Sequence, residues 1–85
     1  PNVQQIECLG KGRNILVKQR GKINSTKIIL SEEEIRDIIE KFSKEARIPI
    51  SGGILKAAVG NLVISAVISN YVGPKFIINK INPYF

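Results

Sequence analysis

The chain has no histidine, no methionine and a single cysteine, Cys8. Each absence removes a class of chemistry. Without histidine, a lone thiol has no imidazole base, and a zinc site has no ligand set to draw on. One cysteine cannot close an internal disulfide, so nothing marks a secreted scaffold. Cys8 is expected to pack as a small buried apolar group. No apolar run approaches the ~20 residues that cross a membrane, and no signal peptide is visible. A chain that starts at Pro1 without any methionine suggests a piece of a longer protein, with part of its function carried elsewhere.

Acid is also scarce, except in one place. Six of the seven acidic residues lie between Glu32 and Glu45. Residues 10–30 hold none, and carry Lys11, Arg13, Lys18, Arg20, Lys22 and Lys27. A basic stretch of this kind is the electrostatic footprint of nucleic acid or an acidic membrane surface. It equally suits a lysine-rich strand surface that resists edge-to-edge aggregation. No aromatic residue sits among these cations to stack on bases, which weighs toward the second reading.

What is present is an ordinary globular composition on 85 residues, enough for one domain with a thin core. The clearest element is Ser31 to Arg47, which reads as a helix over about 31–47. Ser31 can cap the N-terminus and Glu34 completes a capping box. Glu32, Glu33 and Glu34 oppose the positive end of the helix dipole, and Lys41, Lys44 and Arg47 lie toward the other end. Ile35, Ile38, Ile39, Phe42 and Ala46 form one apolar stripe. Pro49 stops the helix nearby.

The flanks read as strands. Residues 3–9 give a short strand, Gly10 to Asn14 a turn, and the run around Ile15 and Val17 a second strand. Gln19-Arg20-Gly21-Lys22 is a hairpin turn, with glycine available for positive φ. A third strand follows from Ile23 toward Leu30. After an irregular connection, Ile54–Val59 is a strand, Gly60-Asn61 a tight turn and Leu62–Ser69 the most β-prone stretch. There Leu62, Ile64, Ala66 and Ile68 should face the helix. Asn70–Pro74 is a loop and Lys75–Ile81 the last strand. The order βββαβββ, with short loops that leave no room for crossover helices, predicts an α+β fold. It is a mostly antiparallel sheet of five to six strands with one long helix on one face. Residues 1–81 form that domain, and 82–85 read as the start of a linker.

Catalytic motifs are not found. Gly10-Lys11-Gly12 lacks the spacing of a phosphate-binding loop. The carboxylates at Glu33 and Asp37, or Glu32 and Glu34, suit a solvated helix face better than a paired acid–base site. The domain is therefore not expected to be an enzyme or to hold a cofactor or metal.

Two strings carry a family resemblance. ILSEEEIRDIIEKFSKEARIPI looks like a strand, an S-x-E-E-[LI] helix and an R-P-I ending. GNLVISAVISNYVGPKFIINKINPYF looks like a G-x-R-V-x-A segment followed by G-x-x-F-x-I-R-K-F. A weaker glycine pattern spans Ile6 to Gly21. Together they resemble the N-terminal, PAS-like domain of the type II/type IV secretion ATPases, the hexameric traffic motors of secretion, type IV pili and archaeal flagella. That resemblance implies a non-catalytic domain that contacts neighbouring subunits and caps the nucleotide site of a C-terminal RecA-like motor. It further implies ATP and magnesium in the parent motor, and a membrane platform as partner. The expected location is cytoplasmic, peripheral at the inner face of the membrane. Nucleic acid is not a partner in this reading, and a small basic nucleic-acid-binding domain is the alternative to it.

The family's domain supplies arginines to the phosphates. Here the two arginine positions fall at Val63 and Asn79, while Lys80 keeps the lysine that follows. Neither Val63 nor Asn79 can pair with phosphate bidentately. Lys75 and Lys80 remain as point charges able to take that role. The departure points to a motor that uses other cations, or to a divergent or non-hydrolysing paralogue.

Overall fold

The computed structural model describes residues 3–68, 71 and 73–81. The linker expected at 82–85 lies outside them, as does Ser69 at the end of the expected fifth strand.

The elements follow the expected order: β1 (Val3–Cys8), β2 (Asn14–Gln19), β3 (Lys22–Ile29), α1 (Glu32–Ala46), β4 (Ile54–Val59), β5 (Leu62–Val67) and β6 (Lys75–Lys80). All six strands join one antiparallel sheet in the order β3-β2-β1-β6-β5-β4. Two three-strand meanders thus meet at the pairing of β1 with β6. The first and last strands of the chain lie side by side in the middle of the sheet, and α1 connects its two edges.

Each turn has a local cause. Arg20 and Gly21 both take positive φ, 50° and 78°, between the paired residues Gln19 and Lys22. This is the pattern of a type I′ hairpin turn, whose twist matches that of the strands. At the β4–β5 turn Gly60 has φ 61° while Asn61 does not share the positive φ, as in a type II′ turn. Gly53 is required for a different reason. Its N-terminal side of β4 runs so close to Ile68 that a Cβ there would meet the Ile68 carbonyl oxygen at 2.5 Å.

Strand β3 carries a wide irregularity. Between the pairs Asn14–Ile29 and Leu16–Ser25, one residue of β2 faces three of β3. Thr26 fills the gap: its hydroxyl donates to the Ile15 carbonyl (2.7 Å) and accepts from the Ile28 N–H (3.1 Å). The Asn14 amide donates to the Thr26 carbonyl (2.7 Å). A bulge on an edge strand bends it and interrupts the row of groups on which another chain would pair.

The helix forms as its sequence dictates. The Ser31 hydroxyl accepts from the Glu34 N–H (3.1 Å), and the Glu34 carboxylate accepts from the Ser31 N–H (2.8 Å), a complete capping box. Its other end closes on Arg47 in the left-handed region, φ 58°. The Arg47 N–H donates to the Lys44 carbonyl and the Ile48 N–H to that of Ser43. That is a Schellman closure with arginine where glycine is usual.

Ile35 and Ile39 are fully buried, and Ile38, Phe42 and Ala46 pack around them. Against this stripe the sheet sets Cys8, Ile15, Leu55, Ala57, Ile64, Ala66 and Phe76. Ile64 and Ala66 face the helix as expected, with Ile68 packed beside them. The helix lies closest to β4. The domain measures 35 × 29 × 15 Å, so its thin axis holds two layers: one sheet and one helix. The other face of the sheet is uncovered by any described residue.

Candidate functional site

Because neighbouring residues of a strand point to opposite faces, burial on the helix side assigns the open side. Ile64 and Ala66 are buried, so Val63, Ser65 and Val67 belong to the open face. Phe76 and Ile78 face the helix, so Lys75, Ile77 and Asn79 belong to the open face.

Val63 and Asn79 are direct partners across the β5–β6 ladder. Asn79 also pairs with Gln5 on β1, and Gln5 with Lys18 on β2. The four side chains form one row on the open face. The Gln5 amide donates to the Asn79 side-chain oxygen at 3.0 Å. Lys18 is the cation that strand pairing brings nearest to this pair along the row. Sequence spacing could not show this, because 61 positions separate the numbers 18 and 79 while only β1 stands between their strands.

The two lysines considered with Val63 and Asn79 are not brought together with them. Lys80 follows Asn79 directly, so its side chain leaves the opposite face, where it borders a shallow notch with Ile6, Leu62 and Ile78. Lys75 shares the open face, but it pairs with Val67, four residues before Asn79 and about 13 Å along the strand.

The basic stretch also divides. Lys11 and Arg13 sit in the β1–β2 turn, at the end of the sheet where α1 begins, and Lys11 lies 3.9 Å from Glu32. Glu32 is further engaged by Arg36 at 3.4 Å. Lys18, Arg20 and Lys22 gather at the opposite end, around the β2–β3 turn, where the Gly21 N–H donates to the Gln4 side chain (3.2 Å). Lys27 stands in the β3 bulge. The six cations therefore form no single track.

Cys8 is buried on the helix side of β1, at 2% exposure. Desolvation pushes its thiol pKa up, opposed by a weaker backbone hydrogen bond from Gly10. A raised thiol pKa makes a poor nucleophile at neutral pH. Among the described residues no three His, Cys, Asp or Glu side chains are grouped to hold a metal ion. No described helix is long and apolar enough to cross a membrane.

The sequence reading missed the residues that make the open face unusual. Leu16, Val63, Val67 and Ile77 are half-buried on a side that no described element covers, and Leu9 and Ile54 lie exposed beside them. Glu7, Leu9, Ser65, Val67, Lys75 and Ile77 line a shallow depression of about 220 Å³ there. The signal was the apolar character of Val63, Val67 and Ile77 at positions facing away from the helix. No protein-family model matches the chain, and no curated protein matches it.

Proposed function

We propose that the chain is the non-catalytic N-terminal domain of a secretion- or pilus-type ATPase. In this reading it contacts neighbouring subunits and caps the nucleotide site of a RecA-like motor borne on the same polypeptide. The observation that carries the proposal is the pairing of Val63 with Asn79. Two positions singled out only by resemblance to an arginine pair are cross-strand neighbours on one face of the sheet. A clamp for phosphate requires that juxtaposition. The strand that holds Asn79 lies beside β1 at the centre of the sheet, so a motor continuing beyond β6 would start next to the pair.

ATP and magnesium belong to the motor in this reading, and the domain supplies surface rather than chemistry. The parent works in the cytoplasm against a membrane platform. With an amide and an isopropyl group at the clamp, it draws on other cations or has lost hydrolysis. Lys18 is the nearest replacement along the row. The competing nucleic-acid reading needs a continuous cation track, and the division of the six basic residues between two ends and a bulge weighs against it.

The test is magnesium-dependent ATP hydrolysis by the 85-residue chain and by the polypeptide that extends beyond Phe85. The isolated chain is expected to give no turnover above a buffer blank, and the longer one to bind ATP through its own phosphate loop. Turnover by the 85-residue chain that survives repurification would overturn the proposal. So would an extension lacking a phosphate-binding loop.

A further inference from the structure

We propose that the open face of the sheet docks an amphipathic helix with acidic flanks, contributed by a partner protein. The inference concerns the end of the open face away from the Val63–Asn79 pair and rests on the pattern of the strands. An antiparallel sheet with one face in water alternates apolar and polar side chains. Strand β1 does so: Ile6 and Cys8 face the helix, Gln5 and Glu7 the open side. Strands β5 and β6 break the rule. They bury Ile64, Ala66 and Phe76 against the helix, yet away from the Val63–Asn79 pair they present Val67 and Ile77 on the other side, beside Ser65 and Lys75. Central strands that carry apolar side chains on their second face as well are suited to being covered there in part. Leu16 on β2 and Ile54 on β4 extend the apolar surface on either side.

The face has an anchor point. The 220 Å³ depression is lined by Leu9, Val67 and Ile77 together with Glu7, Ser65 and Lys75. A shallow recess that mixes apolar side chains with a lysine suits an apolar side chain of a ligand that has an acid beside it. Charge then selects the partner. Lys56 and Lys75 flank Ser65 and Val67 on this face, and Glu7 is the one acid of the sheet, since the other six acids lie between Glu32 and Glu45. Two copies packed back to back would set lysines against lysines, which like-charge repulsion disfavours. An acid-flanked helix is favoured.

The experiment uses two fluorescein-labelled synthetic helices that share one leucine stripe, one flanked by glutamate and the other by lysine. Fluorescence anisotropy with the 85-residue chain is read at physiological salt, and amide chemical shifts of the ¹⁵N-labelled chain locate the contact. The glutamate-flanked helix is expected to bind about tenfold or more tightly than the other, with shifts centred on Glu7, Ser65, Val67 and Ile77. The variant Lys56→Glu/Lys75→Glu should reverse the preference, and Val67→Gln should weaken both helices while leaving the thermal melt nearly unchanged. Equal binding of the two helices, binding of neither, or shifts centred on α1 would overturn the proposal. A dimer seen by light scattering and lost in Val67→Gln would assign the face to a second copy instead. Sedimentation with phosphatidylglycerol vesicles that is lost in the same variant would assign it to a membrane.

Discussion

Val63 and Asn79 face each other across the β5–β6 ladder, and the side-chain oxygen of Asn79 takes a 3.0 Å hydrogen bond from Gln5. The row is neutral at its centre and hydrogen-bonded within itself. Its first cation, Lys18, is reached only on β2. Any phosphate approaching this end of the sheet meets an isopropyl group and two amides, which offer dipoles where the family resemblance implies two guanidinium forks.

The helix stripe is not uniform, and the difference is measurable. Ile39 is fully buried between helix and sheet, whereas Ile38, one position earlier, is half-exposed. Ile39→Ala is expected to cost about 2–5 kcal/mol, the range for deleting a fully buried side chain. Ile38→Ala should cost clearly less. Urea denaturation of the two variants checks the order, and equal losses would mean that α1 is rotated from the position described.

Arg20 holds φ 50° at the first position of the β2–β3 turn, a site where asparagine is favoured. Arg20→Asn is expected to stabilise the domain by about 0.5–1 kcal/mol, by analogy with other substitutions that suit a fixed backbone conformation. For a domain of this size that raises the melting temperature by roughly 2–8 °C. A lowered melting temperature would show that the arginine side chain makes a contact of greater worth than the strain.

Cys8 gives a pH dependence with a definite sign. Burial raises the folded thiol pKa above its unfolded value. The folded state then retains its proton while the unfolded state loses it, so the contribution to stability is fully present below about pH 8.5. It erodes as the pH rises from there through the folded pKa. Stability measured between pH 8 and 10 should fall more steeply in the wild type than in Cys8→Ala, and parallel curves would remove the thiol as the cause. The native thiol should also resist a disulfide reagent until the chain is unfolded.

Much of the fold was legible because local signals agreed. Ser31 and Glu34 cap a helix whose apolar residues recur at helical spacing, and each strand is bounded by a turn that contains glycine. The strand order was less accessible. That β1 pairs with β6 follows from burying the helix stripe on a single sheet, and no residue spacing encodes it. Arg47 was read as a favourable charge near the helix end. Its left-handed backbone depends on where the chain must turn toward Ile48 and Pro49, not on its residue type. The candidate site was legible in part. The apposition of Val63 and Asn79 followed from two consecutive antiparallel strands. The separation of Lys75 and Lys80 from that pair required the register and the face of each residue. The open apolar face went unnoticed because Val63, Val67 and Ile77 look like ordinary strand residues until the helix is seen to cover the other side.

In the proposed function this end of the sheet faces the nucleotide of a motor, and a double substitution probes that placement. Val63→Arg and Asn79→Arg, introduced singly and together in the polypeptide that carries both domain and motor, would rebuild the cation pair on the open face. ATP affinity, read by a fluorescent nucleotide analogue, should rise by about tenfold or more in the double variant, in line with one or two added charge-assisted hydrogen bonds. The gain should exceed the sum of the single changes, because both guanidinium groups would grip one phosphate. Unchanged affinity in a double variant that folds normally and retains an active motor would rule out that placement.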